Sequence, residues 1–534
     1  MEMNTEETLV EKPSANRQIA KAAGVVMFGF ISSNITSLVR TILTGQVFGA
    51  GEILDAFTSA NKLPDILFTL VAGGALASAF IPSLTEFMEN DAREGGWQLT
   101  SAIINLVILV LTVVCGLAWI FAEPIVNLYV EGFTPEQQIL TVELLRIMLL
   151  APIIFGVSGL IMGVLNTYQS FLLPALAPTL LWLGMIFGLL VLTPSMGIHG
   201  LAWGYVFGAL LHLLVQLPGV LRLPKRKFSF SLGLNLPAVR EVGRLMAPRL
   251  LGVAVIQINF LVNVMVGSRL PQGSISGIDF AWRIMTMPQV VIAQGISIAA
   301  LPTFAAQIAR GKPEEMRSSL AATLRSIFFL SIPAMMGLIL LRVPIVAMFY
   351  ERKEFTPEDT QLVAWALLWF TVGLIGHSLV EILSRAFYAL HDTKTPVAIG
   401  VGAMSLNVIL SLILPGVFNN MGWMPLGGLA LANSFSTTLE MLILLYLMRN
   451  RLKGINGKHI LKGTSKSVLA TLAMSAAILL WMNFSIKLSV WVIGLAGILV
   501  GGLVYGVSLT FLKVPEINSL MIFARGKIKG ILQK

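Results

Sequence analysis

Residues 133–168 read FTPEQQILTVELLRIMLLAPIIFGVSGLIMGVLNTY, and residues 355–388 read FTPEDTQLVAWALLWFTVGLIGHSLVEILSRAFY. Both stretches start with the same tetrapeptide, continue as a long apolar segment and end in a tyrosine. A proline then opens the next apolar segment in each case, Pro174 after the first stretch and Pro396 after the second. This agreement indicates that one block of helices occurs twice in the chain.

Two further matches lie in the same register. Gly-Leu-Ala occurs at 200–202 and again at 428–430, and Pro82 has its counterpart in Pro302. All of these pairs are between 220 and 228 residues apart. Internal repeats are common in transporters. The spacing predicts two homologous six-helix lobes, residues 20–230 and 231–455, which share one orientation because six spans return the chain to its starting side.

The composition places these repeats in a membrane. Of the 534 residues, 56% are hydrophobic and only 12% are charged, about half of the usual quarter, and the mean hydropathy is +0.83. We therefore predict an all-α polytopic membrane protein with fourteen helices, each long enough to cross the hydrocarbon. The predicted spans begin near Ala20, Ala56, Thr100, Val142, Leu173, Leu201, Val242, Gly277, Ser319, Leu362, Val397, Gly427, Val468 and Val490.

The positive charges predict the orientation of these spans. An even number of spans puts both termini on one side. The segments on that side carry most of the Lys and Arg, at 222–227, 310–317, 449–466 and 513–534. This bias predicts cytoplasmic termini. It also accounts for a pI near 9.7 without a nucleic-acid partner, since anionic membrane lipid is a sufficient partner for basic loops.

The ends of the chain are predicted to lie outside the two lobes. Residues 1–19 lack the pattern of a cleaved signal peptide, and we expect them to form a cytoplasmic arm. Residues 456–534 are expected to form helices 13 and 14 and a basic cytoplasmic tail.

Sequence signals for chemical catalysis are weak. The single cysteine, Cys115, lies in an apolar run and can form no internal disulfide. The five histidines never occur at metal-ligand spacing, and the chain has no phosphate-binding glycine loop. We therefore expect no enzyme activity, no cofactor and no metal centre.

Three cations are expected inside the membrane. Arg40 follows a polar run at 32–37 on the first helix, Lys62 lies on the second helix and Arg283 on the eighth. A charge near the bilayer centre costs about 2.5–3.5 kcal/mol, so charges retained there usually face a cavity or a partner. Snorkelling to the headgroups is the alternative. Without a matching set of deep acids, the three cations predict a cavity for an anion.

The acidic residues of the spans allow two interpretations. Asp55, Asp65 and Asp279 either face a cavity or a partner or are residues at helix starts. The second interpretation is equally consistent with the sequence, because an acid at the interface favours the positive end of the helix dipole. Glu381 and Glu440 are isolated within helices ten and twelve. Such a carboxyl group is protonated, binds a coupling ion or is purely structural.

The polar stretch between helices ten and eleven carries a family resemblance. The string RAFYALHDTKTPV at 385–397, preceded by FYERKEFTPEDT at 349–360, closely resembles the MurJ/MviN family of lipid II flippases. That family belongs to the multidrug/oligosaccharidyl-lipid/polysaccharide exporter (MOP) superfamily. Residues 48–67, 163–178 and 246–259 are similar to further motifs of the family. Its architecture is fourteen helices, with two lobes of six and two additional carboxy-terminal helices.

The resemblance implies a function. Members move lipid II, the undecaprenyl-pyrophosphate-linked peptidoglycan precursor, from the inner to the outer leaflet of the plasma membrane by alternating access, for cell-wall synthesis and cell shape. The anionic headgroup would enter a cationic cavity between the lobes. Arg40 and Arg283 match arginines of that cavity, and Asp55 matches a family aspartate. Ser33 and Asn34 stand where the family often has Ser-Arg, so the expected substrate-binding set also includes them and Lys62.

The resemblance also implies positions for a coupling ion. Some members bind sodium through acids on helices seven and eleven, and the corresponding positions here are Asn263, Asn407 and Ser411. These ligands are neutral. Glu381 and Glu440 are the other candidates for coupling to a monovalent cation or to the membrane potential.

Two alternatives to a lipid II flippase stay open. The paired arginines of the family's second helix are Phe68 and Thr69 here. A transporter of the same fold with another lipid-linked oligosaccharide or an amphipathic drug as cargo is therefore possible. A non-transporting scaffold or an intramembrane enzyme is the third reading.

Overall fold

The computed structural model describes residues 15–71, 75–89, 93–224, 227–485 and 487–512. Side chains are described for residues 24–70, 80–87, 94–224, 227–246, 257–485 and 487–512. Throughout these ranges the regular structure is helical. Gly73 and Gly74, the amino-terminal residues before 15 and the basic tail after 512 lie outside the described residues.

The helices are numbered in chain order. The first eleven are α1 (Ala15–Phe48), α2 (Glu52–Val71), α3 (Ala75–Glu89), α4 (Arg93–Ile120), α5 (Ala122–Tyr129), α6 (Pro135–Met148), α7 (Leu150–Thr167), α8 (Leu172–Phe187), α9 (Thr193–Met196), α10 (Ile198–Leu214) and α11 (Leu217–Leu221). The others are α12 (Pro237–Ser268), α13 (Ser274–Gln289), α14 (Gly295–Ala309), α15 (Pro313–Leu340), α16 (Arg342–Tyr350), α17 (Pro357–Val372), α18 (Leu374–Ala389), α19 (Lys394–Asn420), α20 (Leu426–Arg451), α21 (Gly457–Phe484) and α22 (Val490–Phe511). Two π-helical segments, Gly188–Leu192 and Val290–Gln294, connect α8 to α9 and α13 to α14.

The described helices include many that are able to span a membrane. They form eleven candidate spans that are long and apolar enough, some of them made of two consecutive helices, or twelve if α17 and α18, which meet at a bend of 44°, form one span. The chain is therefore a multi-pass membrane protein, as its composition predicts. The predicted spans near Ala56 and Val242 correspond to α2–α3 and α12, which are not in that set. The number fourteen therefore stays a prediction.

The order of the helices recurs along the chain. Helices α4, α6 and α8 have counterparts in α15, α17 and α19, which begin 220 to 222 residues later. Helices α10 and α20, which carry the two Gly-Leu-Ala motifs, begin 228 residues apart. This order supports the predicted duplication. The lobe boundaries near residues 230 and 455 stay predictions.

The repeated Phe-Thr-Pro-Glu tetrapeptide starts a helix in the same way at both places. The Thr134 hydroxyl accepts the backbone N–H of Gln137 at 3.3 Å, and the Gln137 side chain accepts the Thr134 N–H at 3.2 Å. At the second copy, Thr356 accepts from the Asp359 N–H at 3.2 Å and the Asp359 carboxylate accepts from the Thr356 N–H at 3.0 Å. Each is a capping box with proline in the first helical position, where no N–H is needed.

The polar stretch before α19 is a helix start. The Asp392 carboxylate accepts the Thr395 backbone N–H at 3.1 Å and the Thr395 hydroxyl at 2.8 Å. These two donors hold the pKa of the Asp392 carboxyl below its usual value, and Arg451 lies 3.6 Å from the same group. Asp392 therefore caps the start of α19, and Pro396 occupies the first turn, where proline is tolerated.

The chain divides into two compact units. Unit 1 comprises the residues up to Leu43 together with Ala60–Ile125 and Ile139–Ala254. Unit 2 comprises Thr44–Ser59, Val126–Gln138 and the residues from Val255 onward.

A seam of glycines joins α8 and the start of the π-helical segment that follows it to α10 within unit 1. A Cβ atom on Gly184 would lie 2.3 Å from the Cα atom of Gly208, and one on Gly188 would lie 2.4 Å from the Cα atom of Gly204. Since no real Cβ contact is that short, the two helices approach backbone to backbone. Small residues four apart are typical of such close contacts in membranes.

The last two helices pack on α15 within unit 2. The Tyr505 hydroxyl of α22 donates to the Phe329 carbonyl of α15 at 2.6 Å and lies 2.8 Å from Ser467 Oγ of α21. This buried contact joins three helices, because one hydroxyl group can donate one hydrogen bond and accept another. The two additional carboxy-terminal helices expected from the sequence are therefore α21 and α22.

Candidate functional site

Arg40 stacks on an indole within unit 1. It is 7% exposed on α1, and its guanidinium carbon lies 5.2 Å from the ring centroid of Trp182 on α8. The Trp182 Nε1–H donates to Ser33 Oγ at 3.1 Å. A cation over an indole face is stabilised by about 0.5–2 kcal/mol, more when it is desolvated. Ser33 therefore positions the ring that carries Arg40.

The other polar residues of α1 bond mainly within the helix. Asn34 is exposed, and its side-chain amide donates to the Phe30 carbonyl at 2.8 Å. Thr36 donates to the Ser32 carbonyl at 2.8 Å. Such back-bonding competes with the helix's own hydrogen bonds. The helix nevertheless runs without a break through this segment.

Lys62 lies close in sequence to an acid of the same helix. It is half-buried on α2, and Asp65 follows three residues later, at a spacing that places two side chains on one face. The Asp65 carboxylate accepts from Asn61 Nδ2 at 2.8 Å and from the Tyr205 hydroxyl at 3.3 Å. Asp65 therefore holds α2 to α10 within unit 1.

Asp55 caps a helix within unit 2. It is 2% exposed, and its carboxylate accepts the backbone N–H groups of Gly273 and Ser276, each at 2.7 Å, and the Ser276 hydroxyl at 2.6 Å. These are N–H groups at the start of α13, which have no partner inside their own helix. Gly273 has a φ of +82° and packs against the carbonyl of Ala50. This geometry gives Asp55 a structural role, so its predicted substrate contact has no support here.

Arg283 forms an ion pair on α13. Its Nε lies 2.8 Å from Asp279 Oδ2, four residues earlier, and both side chains are 31% exposed. The expectation that the membrane cations lack matching acids is therefore wrong for Arg283. Arg40 and Lys62 belong to unit 1 and Arg283 belongs to unit 2, and their convergence on one anion stays a prediction.

The three neutral positions expected to bind an ion do come together within unit 2. Asn263 of α12 accepts from Ser411 of α19 at 3.1 Å, and Ser411 lies 3.3 Å from Asn407 Oδ1. Asn259, which the sequence analysis missed, completes the cluster. Its Oδ1 accepts from Asn407 Nδ2 at 3.1 Å and faces Asn263 Nδ2 at 3.4 Å, and its Nδ2 donates to the Met404 carbonyl at 3.1 Å.

This cluster contains more acceptors than donors. The Met404 carbonyl accepts from Asn259 Nδ2 and so fixes the orientation of the Asn259 amide. Because Asn259 Oδ1 can only accept, the Nδ2 groups of Asn407 and Asn263 face it. Two amide oxygens therefore face the single hydroxyl of Ser411, which has one proton to donate. The arrangement offers neutral oxygen ligands. Among the described residues no group of three or more His, Cys, Asp or Glu side chains lies close enough to hold a metal ion.

The two candidate glutamates differ in their surroundings. Glu381 pairs with Arg385 one turn later on α18, with Oε1 2.6 Å from the guanidinium. The expectation that Glu381 is isolated is therefore wrong. Glu440 is 9% exposed on α20, and its Oε1 lies 3.4 Å from the position that a Cβ atom on Gly400 of α19 would occupy.

Comparison with known proteins places this geometry in a family. A family model described as lipid II flippase MurJ matches residues 44–500. A protein named lipid II flippase MurJ from Burkholderia cenocepacia is 31% identical over 429 residues, which cover 78% of this chain and 81% of that protein.

The fold agrees with solved structures. One described as lipid II flippase MurJ in an inward closed conformation matches with a TM-score of 0.78 and 27% identity, over 91% of this chain and 98% of that chain. An inward-facing multidrug resistance MATE transporter of the MOP superfamily matches with a TM-score of 0.66 and 16% identity, over 79% of this chain and 94% of its own. At that identity the second match shows the fold alone.

Proposed function

Since this chain belongs to the MurJ family of lipid II flippases, we propose that it moves lipid II from the inner to the outer leaflet of the bacterial cytoplasmic membrane for peptidoglycan synthesis. The match of the family model over residues 44–500 carries this proposal. A flippase returns its substrate chemically unchanged, so the protein is a transporter and not an enzyme. Both termini face the cytoplasm in this proposal, because the basic segments do.

Arg40 is the best-placed contact for the pyrophosphate. Its guanidinium carbon lies 5.2 Å from the ring centroid of Trp182, and a planar, permanently charged group suits phosphate oxygens. Ser33 and Asn34 supply polar groups on the same helix, and Lys62 supplies a point charge. Arg283 would exchange its partner Asp279 for a phosphate oxygen. Alternating access would then carry the headgroup across the membrane.

The asparagine and serine cluster of α12 and α19 is a candidate coupling site. Asn263 Oδ1, Asn407 Oδ1 and Ser411 Oγ provide three neutral oxygens next to one hydroxyl proton. This donor set fits a weakly held monovalent cation and lacks the formal charge that hard divalent ions prefer. A bound cation would interact with these oxygens, which outnumber the hydroxyl proton that faces them.

Complementation tests the proposed function. The resident lipid II flippase of a bacterial host would be depleted, this chain expressed, and growth followed together with the accessibility of lipid II at the outer leaflet. We expect rescue by the parent and loss of rescue with Arg40→Ala or Arg283→Ala. A folded, inserted chain that fails to rescue would point to a different lipid-linked cargo.

Direct binding tests the assigned residues. Purified parent, Arg40→Ala and Arg283→Ala would be compared for lipid II affinity, with Arg352→Ala as control because Arg352 stacks on Trp491 at 5.1 Å, outside the proposed contacts. A charged hydrogen bond contributes about 1.5–3 kcal/mol, so each site variant should bind at least tenfold more weakly. Affinity equal to that of the parent would show that the assignment is wrong.

A further inference from the structure

Glu440 is buried in the middle of a membrane span. It lies fourteen residues after the first residue of α20, Leu426, and eleven before the last, Arg451, which places it about 21 Å and 16 Å from the two ends. Its side chain is 9% exposed. Among the residues whose side chains the structure describes, none forms a hydrogen bond or an ion pair with it.

An ionised carboxylate in this place would be strongly destabilising. Taking a carboxylate out of water costs several kcal/mol even after relaxation, and only a close partner offsets this cost. The neighbouring Gly400 backbone presents no charge, and its missing side chain leaves the space in which the carboxyl group lies. A neutral, protonated carboxyl group avoids most of the desolvation.

The internal repeat provides a matched comparison. Aligning the two Gly-Leu-Ala motifs sets Glu440 of α20 opposite His212 of α10. His212 is also buried, but Ser158 Oγ lies 2.7 Å from its Nδ1, and Gln216 Nε2 donates to the same hydroxyl at 2.7 Å. The position that corresponds to Gln216 is Leu444 in the second repeat. The same place in the fold therefore holds a satisfied ionisable group in one repeat and an unsatisfied one in the other.

Ionisable groups on the helices that pack against α20 have their own partners or lie near helix starts. Helices α13, α17, α18 and α19 all contact α20. The Asp279–Arg283 and Glu381–Arg385 pairs lie on α13 and α18, and His377 bonds to Asn433 at 3.0 Å. The remaining groups are Glu358, Asp359 and Lys394, at or near helix starts, and Tyr388, which is exposed in the last turn of α18.

A second polar group lies one turn from the carboxyl group. Ser436 is four residues before Glu440, a spacing that places both on one face of α20. It is 3% exposed, and within the described residues its hydroxyl has no hydrogen-bond partner. Ser436 and Glu440 therefore place two polar side chains one turn apart on the same face of α20.

We propose that Glu440 is a proton-binding site that couples lipid II movement to proton movement. In the conformation described here the carboxyl group holds a proton. When α19 moves away from α20 and water reaches the group, the O–H bond breaks, the proton passes to water and the carboxylate remains. This inference rests on the proposed function for its link to lipid II, but the protonation itself does not.

Infrared difference spectroscopy tests the protonation directly. The full chain in lipid nanodiscs at neutral pH should show the C=O band of a protonated carboxyl group. Glu440→Gln, which is isosteric with the protonated side chain, should remove that band. Glu381→Gln should leave it in place, because the Glu381 carboxylate forms an ion pair with Arg385. A band that survives in Glu440→Gln, or that is absent from the parent, would overturn the proposal.

Transport under a pH gradient tests the coupling. Liposomes with lipid II in one leaflet would be given a pH difference, which is worth up to about tenfold in an equilibrium per unit. The parent should respond to the gradient, and in Glu440→Gln the ratio of rates with and without it should fall to one. A parent rate that is the same with and without the pH gradient would contradict the coupling. If the parent moves no lipid II at all, the proposed function fails while the infrared result stands.

Discussion

At the scale of single residues, the candidate site depends on side chains that position other side chains. Ser33 fixes the indole of Trp182, and the indole carries Arg40. A guanidinium held in this way loses less conformational freedom when it binds an anion than a free side chain would. We therefore expect Trp182 to affect substrate affinity although it carries no charge.

Replacing Trp182 with leucine tests this dependence. Leucine keeps an apolar side chain but removes the ring face and the N–H group. A cation–π contact contributes about 0.5–1 kcal/mol or more, so lipid II should bind roughly two- to fivefold more weakly. The control is Trp119→Leu, since Trp119 also carries an arginine, Arg146 at 5.1 Å, but is exposed. Equal losses in both variants would show that the effect is not specific to Arg40.

Asp55 allows a test that separates structure from binding. In Asp55→Ala the donors of Gly273 and Ser276 lose their buried acceptor, at about 1–3 kcal/mol for each unsatisfied group. We expect a lower thermal midpoint in detergent, with unchanged lipid II affinity in the protein that remains folded. A variant with parental stability and lost affinity would restore Asp55 to the binding site.

The sequence predicts some of these residues and misses others for physical reasons. Asn263, Asn407 and Ser411 were expected together and are together. Asn259 and Trp182 were missed because only helix packing shows what they face. The Asp279–Arg283 and Glu381–Arg385 pairs could have been found, since both have the i,i+4 spacing of helical ion pairs.

At the scale of helices, the clearest feature is the capping box at the start of α6 and of α17. The repeated tetrapeptide is explained by this role, because threonine accepts one orphan N–H group and proline needs none. The second copy makes a further bond. Asp359 Oδ2 also accepts the N–H of Ala50 at 3.2 Å, so the second box holds a distant segment of unit 2 as well as its own helix.

This further bond predicts unequal effects of substitutions within the second box. Thr134→Ala and Thr356→Ala should each destabilise the protein by about 1 kcal/mol, as is usual for a lost cap. Asp359→Ala should be more destabilising than Thr356→Ala, because it also removes the acceptor for Ala50. Thermal unfolding in one detergent would rank the three variants. Equal midpoints for Asp359→Ala and Thr356→Ala would show that the Ala50 bond contributes little.

Irregular helix geometry is less predictable. The segments Gly188–Leu192 and Val290–Gln294 lie in apolar sequence that reads as ordinary helix. A π-helical turn often marks a functional position, but it arises from packing and has no residue signature of its own. Neither the proline in α13 nor the glycines near α10 predict a π-helical turn.

At the scale of the whole molecule, the sequence predicts the membrane class, the helical repeats and the family. Hydrophobic length and loop charge are strong signals because the bilayer imposes them on every span. The exact number of spans is harder to predict. Helix α2 contains four charged residues and a proline, so it falls short of the hydropathy of a simple span.

Cysteine labelling tests the predicted orientation. The native Cys115 is buried, so Cys115→Ala gives a background without reactive thiol. Asn419→Cys and Lys458→Cys lie at exposed positions on either side of α20. A membrane-impermeant maleimide should label Asn419→Cys in intact cells and Lys458→Cys only after permeabilisation. The reverse pattern would invert the assigned topology.

The glycine seam between α8 and α10 has a consequence for sequence variation. Where two main chains touch, even one added methyl group has no room. Substitution is therefore excluded at these positions, whereas the lipid-facing sides of the same helices are free to change. In a saturation screen of viability, positions 184, 188, 204 and 208 should reject alanine as firmly as tryptophan. Such a stripe would identify this helix pair in distant homologues whose other residues have diverged.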